Sequence, residues 1–100
     1  MTNLPARRVA PSELRRIFND GDYVGRAERN ELLTSVESSR PARAAASQEP
    51  GTLSQMVRYF DTSLRPVAIV HQYRKPDGTL GGSGLPDPKR LWLDGEILYC

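Results

Sequence analysis

The spacing of apolar residues changes about halfway along the chain, from a helical period to an alternating one. In the first half, Leu14, Ile17 and Phe18 fall on one side of a helix. This spacing predicts a first helix over residues 13–19. Gly21 follows it, and a glycine in the left-handed conformation commonly ends a helix.

A narrower apolar stripe comes next, made by Leu32, Leu33 and Val36. A narrow stripe is typical of a helix that lies on one face of a sheet, so we expect a second helix over residues 26–38. Two prolines and a glycine then interrupt the pattern, and residues 39–52 are predicted to be a mobile linker.

The second half of the chain is rich in β-forming residues separated by turn residues. Residues 55–60 and 67–73 are the clearest strands, and the continuous apolar start of the second one predicts a central position in a sheet. A tight turn then leads to a short strand at 79–80. The dipeptide Asp94-Gly95 between two apolar runs predicts a hairpin over residues 91–99.

Helices that precede a run of antiparallel strands predict a two-layer α+β fold. We expect a single domain with two N-terminal helices packed on a four- to five-stranded, mostly antiparallel sheet arranged as a β-meander. In this interpretation residues 1–10 form a flexible arm, 11–38 the helical part, 39–52 the mobile linker and 53–100 the meander.

Charge and composition narrow the class of protein. The net charge is +2, and twelve of the 14 basic residues are arginine, the side chain best suited to bidentate phosphate contacts. The longest strongly apolar stretch has four residues, so no membrane partner is expected. Cys100 is the only cysteine and residues 1–10 show no secretory signal, which together favour a cytoplasmic location.

His71, the only histidine, lies in the strongest predicted strand. If this strand and the one before it form a hairpin, Arg58 can face Ile69 while Met56 faces His71. His71, Arg58 and Tyr73 are therefore the candidate catalytic residues. An imidazole transfers protons near neutral pH, a guanidinium stabilises charge on phosphorus, and a phenol stacks on a base or donates a proton. The alternative is a hydrogen-bonded histidine with no catalytic part.

A glycine- and proline-rich segment over residues 73–90 carries cations at both ends. Glycines let backbone N–H groups approach an anion, and Asp87-Pro88 is able to begin one helical turn at the end of the segment. The alternative is a plain connection between strands. The candidate ligand-binding residues are Arg74, Lys75, Gly81, Gly82, Ser83, Gly84, Lys89 and Arg90.

Other kinds of site have little support in the sequence. One histidine and one cysteine, far apart, predict no metal site, and we expect no cofactor. A triad of Ser83, His71 and an aspartate such as Asp87 would lack a nucleophile elbow. Trp92 should point away from the core if its two neighbours face it. It would then be either a binding aromatic or a side chain covered by the arm.

These features support three functions. The leading hypothesis is a small non-enzymatic module that binds nucleic acid through the cationic glycine-rich loop, together with the sheet face that carries His71. In coarse outline, helices followed by a meander on about 100 residues resemble the small bacterial ribonuclease toxins. That likeness implies a metal-independent ribonuclease that uses His71, although no family catalytic residue can be carried over. The third hypothesis is an accessory subunit that binds a protein partner, and the oligomeric state is left open.

Overall fold

Six strands and two helices make up most of residues 4–100, the part of the chain that the computed structural model describes. The helices are α1 (Pro11–Asp20) and α2 (Tyr23–Glu28). The strands are β1 (Ala6–Arg8), β2 (Leu33–Pro41), β3 (Leu53–Phe60), β4 (Pro66–Arg74), β5 (Asp87–Leu93) and β6 (Glu96–Tyr99).

All six strands belong to one sheet in the order β1-β6-β5-β4-β3-β2. Strands β2 to β6 form an antiparallel meander, and β1 pairs in parallel with β6. The α+β class is confirmed, but the expected four to five strands are six and the sheet is mixed. The difference arises at both edges, since β1 and β2 carry no alternating apolar pattern of their own.

The first helix is confirmed and extends beyond its predicted ends. Pro11 occupies its first turn, where the missing N–H costs nothing. Gly21 does not take the left-handed conformation, because its φ is −78° and Asp22 has the positive φ instead. Gly21 is needed for space: a Cβ there would lie 2.6 Å from the ring of Tyr23.

The second predicted helix, over 26–38, is wrong for most of its length. The helix ends at Glu28, Asn30 adopts a φ of 61°, and the chain continues as β2. The segment Leu33–Pro41 is rich in Ser, Thr and Val, which are weak helix formers. Pairing with β3 supplies the backbone hydrogen bonds that a helix would have made.

The remaining differences concern the arm, the linker and the glycine-rich segment. Part of the predicted arm is β1, and residues 1–3 lie outside the described residues. The linker begins within β2 and contains a short 3-10 turn at Ala44–Ala46; its mobility stays a prediction. The short strand at 79–80 is a single bridge between Leu80 and Arg74, and Asp87-Pro88 begins β5 rather than a helical turn.

The core lies between the helices and one face of the sheet. Register brings Leu98, Leu91, Ala68 and Tyr59 into one row across four strands, and all four side chains are buried. From α1, the ring of Phe18 stacks on Tyr23 with 5.0 Å between centroids and meets Tyr59 edge-on at 5.8 Å. These contacts fix α1 and α2 on this face, which we call the helix face.

Side chains alternate along each strand, so the residues between the core positions point to the opposite face. In residues 4–100 neither helix lies there, and side chains such as Ile69, Trp92 and Tyr99 stay partly exposed. We call this surface the open face. Neither helix in the described residues is long and apolar enough to cross a membrane.

Candidate nucleic-acid interface

A row of cationic and aromatic side chains crosses the open face. The register pairs Arg8 with Tyr99, Tyr99 with Arg90, Arg90 with Ile69 and Ile69 with Arg58. Paired residues share a face, so the three arginines stand on one surface. They lie on every second strand, so neighbouring arginines are about 10 Å apart at the backbone.

Aromatic rings lie within and beside this row. The guanidinium of Arg8 sits 5.5 Å from the ring centre of Tyr99, a cation–π contact. Trp92, which pairs with Ile97, and Phe60 are partly exposed toward the hairpin end of β5 and β6. The expectation that Trp92 points away from the core is confirmed, since its neighbour Leu91 is buried.

Ion pairing differs between the two sides of the sheet. On the helix side, Arg16 pairs with Glu13 and Asp20, and Arg29 pairs with Asp22 and Glu31. Within the described residues Arg8 and Arg90 make no such pair.

Among the described residues, Arg58 has one ion-pair partner, the carboxylate of Glu37. Its Nε lies 3.4 Å from Glu37 Oε1 and is buried without a hydrogen bond among residues 4–100. The open face therefore retains positive charge that the helix side has neutralised.

His71 lies one row further along the same face. Its Nε2 is 2.7 Å from Ser54 Oγ, and its ring meets that of Tyr73 edge-on with 4.7 Å between centroids. Burial, together with the nearby charge of Lys89, holds the pKa of His71 below its ordinary value, and Asp87 offsets part of this shift. The lowered pKa favours the uncharged imidazole.

The predicted catalytic candidates do share one face. The register of β3 and β4 pairs Met56 with His71 and Arg58 with Ile69, as the sequence predicts. At the turn a bulge places Phe60 opposite Pro66. Arg58 is nevertheless two positions along β3 from the residue that faces His71, about 7 Å at the rise of a strand. Within residues 4–100, the polar partner of His71 is Ser54 and that of Arg58 is Glu37.

The structure does not bring together the four cations at the ends of the glycine-rich segment, which are Arg74, Lys75, Lys89 and Arg90. Arg90 pairs with Ile69, whereas Arg74 lies five residues further along β4, about 16 Å away. Lys89 is occupied by Asp87 at 2.9 Å, and Arg15 also approaches this carboxylate at 3.5 Å. The residues Gly81, Gly82 and Ser83 line a cleft of about 500 Å³ beside Arg15 and Asp87 rather than a ring of free cations; Gly84 and Lys75 lie outside it.

In the described part of the chain, side chains are not arranged for a metal site or for a triad of Ser83, His71 and Asp87. Residues 4–100 contain no group of three His, Cys, Asp or Glu side chains placed to hold an ion. The serine hydroxyl that meets His71 belongs to Ser54, not to Ser83, whose Oγ interacts with the backbone of Leu85.

Sequence reasoning missed the contributions of both edge strands. Arg8 joins the row only because β1 pairs with β6, at the other end of the chain. Arg40 and Ser54 meet through the pairing of β2 with β3. The alternation of Trp92 with its apolar neighbours Leu91 and Leu93 was a usable signal for the open face, but no local pattern marks Arg8.

Three comparisons with known proteins were negative. No protein-family model, no curated protein and no solved structure matches this chain.

Proposed function

We propose that this protein binds single-stranded nucleic acid on the open face of its sheet. The observation that carries the proposal is the row in which Arg8, Arg90 and Arg58 alternate with Tyr99 and Ile69 across five adjacent strands. Phosphate groups require cations and exposed bases require flat apolar or aromatic partners, and the row offers both.

The shape of the surface favours a single strand over a duplex. In a duplex the bases are stacked on one another, and a flat sheet cannot reach their faces. In a single strand the bases can turn toward Tyr99 and Trp92 while the phosphates follow the arginines. No element in the described residues projects from the open face as a recognition helix would, so we expect weak sequence preference.

The proposal moves the site from the glycine-rich loop to the sheet. Lys89 and Arg15 share the carboxylate of Asp87, and this reduces the positive potential beside the loop. Arg8 and Arg90 have no acidic partner within residues 4–100. Binding that depends on the loop cations Lys75 and Lys89, and not on Arg8 and Arg90, would return the site to the loop.

The test measures fluorescence anisotropy of labelled single-stranded RNA and DNA of about 12 nucleotides, a length that spans such a site. Salt is varied between about 50 and 200 mM. The variant Arg8→Ala/Arg90→Ala should weaken binding at least tenfold. It should also reduce the slope of log affinity against log salt by about 1.4, which is about 0.7 for each phosphate that is no longer neutralised.

A matched control removes the same charge from the helix side. The variant Arg16→Ala/Arg29→Ala should leave the salt slope unchanged, since both arginines are paired with acids there. Trp92→Ala should weaken binding without changing the slope, because stacking involves no counterion release. Equal reductions of affinity in the two double variants would show that only net charge matters and would refute the proposed surface.

The same assay separates the other two hypotheses. A ribonuclease would shorten the RNA in the presence of chelator, and His71→Gln would slow cleavage on the order of 100-fold or more. Intact RNA recovered after binding argues against that activity. Absence of affinity for any strand at low salt would leave the protein-binding hypothesis.

A further inference from the structure

A cleft of about 480 Å³ lies at the end of the open face where β2, β3 and β4 meet the linker. Arg40 pairs with Ser54, and Ser54 pairs with Tyr73, so these three residues form the outermost row of the face. The 3-10 turn at Ala44–Ala46 closes the cleft on one side. Its size falls within the range of sites that hold one small molecule or one nucleotide.

Two arginines line this cleft with no acid to neutralise them. Arg40 and Arg43 make no ion pair with any carboxylate among residues 4–100. No aspartate or glutamate lines the cleft in this part of the chain. Two uncompensated guanidinium groups on one concavity favour a ligand that carries about two negative charges.

Neutral hydrogen-bonding groups complete the lining. The hydroxyl of Ser54 and the imidazole of His71 are 2.7 Å apart and are both half-buried. The ring of Tyr73 packs edge-on against His71 and remains partly exposed to the cleft. The cleft thus combines charge, hydroxyl and imidazole groups with an aromatic surface, as a phosphorylated nucleotide requires.

We infer that this cleft binds a phosphate monoester, carried by the terminal nucleotide of a single strand that lies on the open face. A monoester has a charge of about −1.5 to −2 at neutral pH, and an internal phosphodiester has only −1. Arg40 and Arg43 therefore distinguish the end of a strand from its interior. The location of the strand rests on the proposed function, whereas the monoester site depends only on the cleft.

The test compares hexanucleotides of one sequence that end in a 5′-hydroxyl, a 5′-phosphate or a 3′-phosphate, with adenosine monophosphate as a competitor. One of the two phosphorylated ends should bind about tenfold more tightly than the hydroxyl end. Arg40→Gln/Arg43→Gln should abolish that preference and leave affinity for the hydroxyl-ended strand within about threefold.

The control variant is Arg65→Gln/Arg74→Gln, which removes two exposed arginines that line no part of the cleft. It should keep the preference. A wild-type protein that binds all three strands equally would overturn the inference and leave the proposed function intact. A preference that survives Arg40→Gln/Arg43→Gln would also overturn it.

The competition experiment with adenosine monophosphate separates this inference from the proposed function. If no strand binds but adenosine monophosphate binds in a manner that requires Arg40 and Arg43, the monoester site stands and the proposed function fails. If neither a strand nor the monophosphate binds, both are refuted. Thermal unfolding of each variant confirms that the exposed substitutions leave the fold intact.

Discussion

Replacement of Gly95 by alanine tests the hairpin that places Trp92 and Tyr99 on the open face. Asp94 and Gly95 have φ angles of 52° and 78°, the two positive values of a type I′ turn, which the sequence predicts. In residues 4–100 no atom outside the adjoining residues lies within 4 Å of the position that a Cβ would take. The substitution therefore creates no clash, and only backbone strain opposes it.

The size of the effect follows from two opposing contributions. A left-handed conformation costs alanine about 1–2 kcal/mol. Alanine also has less freedom than glycine in the unfolded chain, and this recovers about 0.4–1 kcal/mol. Gly95→Ala should thus lower the free energy of unfolding by about 1 kcal/mol, which corresponds to about 4–8 °C in Tm for a domain of this size.

Thermal and urea unfolding, followed by circular dichroism, measure this decrease in stability. Gly95→Asn is the matched comparison, because asparagine tolerates positive φ better than alanine and should retain more stability. An unchanged Tm for Gly95→Ala would refute the turn geometry. A decrease in Gly95→Asn as large as that in Gly95→Ala would show that strain at φ is not the cause.

The remaining predictions concern the core, the linker and the histidine. In denaturant titrations, Phe18→Ala should lower the free energy of unfolding by about 3–5 kcal/mol. The control Leu64→Ala, at a side chain that is 67% exposed, should change it by less than about 0.5 kcal/mol. Brief trypsin digestion should cut after Arg43 in the linker before Arg58 in β3, and the reverse order in mass spectra would contradict the strand assignment. NMR titration should give His71 a pKa below about 6.5. Because the unfolded chain binds that proton more tightly, the free energy of unfolding should fall as the pH drops from about 6.5 through the folded pKa, and His71→Gln should remove this part of the pH dependence.

Only the central part of the candidate site, where β3 pairs with β4, could be predicted from the sequence. The turn between β3 and β4 is short, so the pairing of Arg58 with Ile69 and of Met56 with His71 follows from counting residues back from it. Counting residues from a turn could not show whether Lys89 and Arg90 lie close to Arg74. Their proximity depends on where β5 begins along β4, and a long irregular segment leaves that register free.

The sequence by itself determined the elements whose pattern is local: α1, the paired strands β3 and β4, and the hairpin of β5 and β6. In each of these, apolar spacing and turn residues within a few positions specify the conformation. Only the tertiary structure decided which segments form the two edge strands of the sheet. The segment that becomes β2 has a weak preference for any conformation, and β1 has only three residues; each becomes a strand because a distant neighbour offers unpaired backbone groups. Arg8 and Arg40 reach their positions through this pairing, which no local pattern encodes.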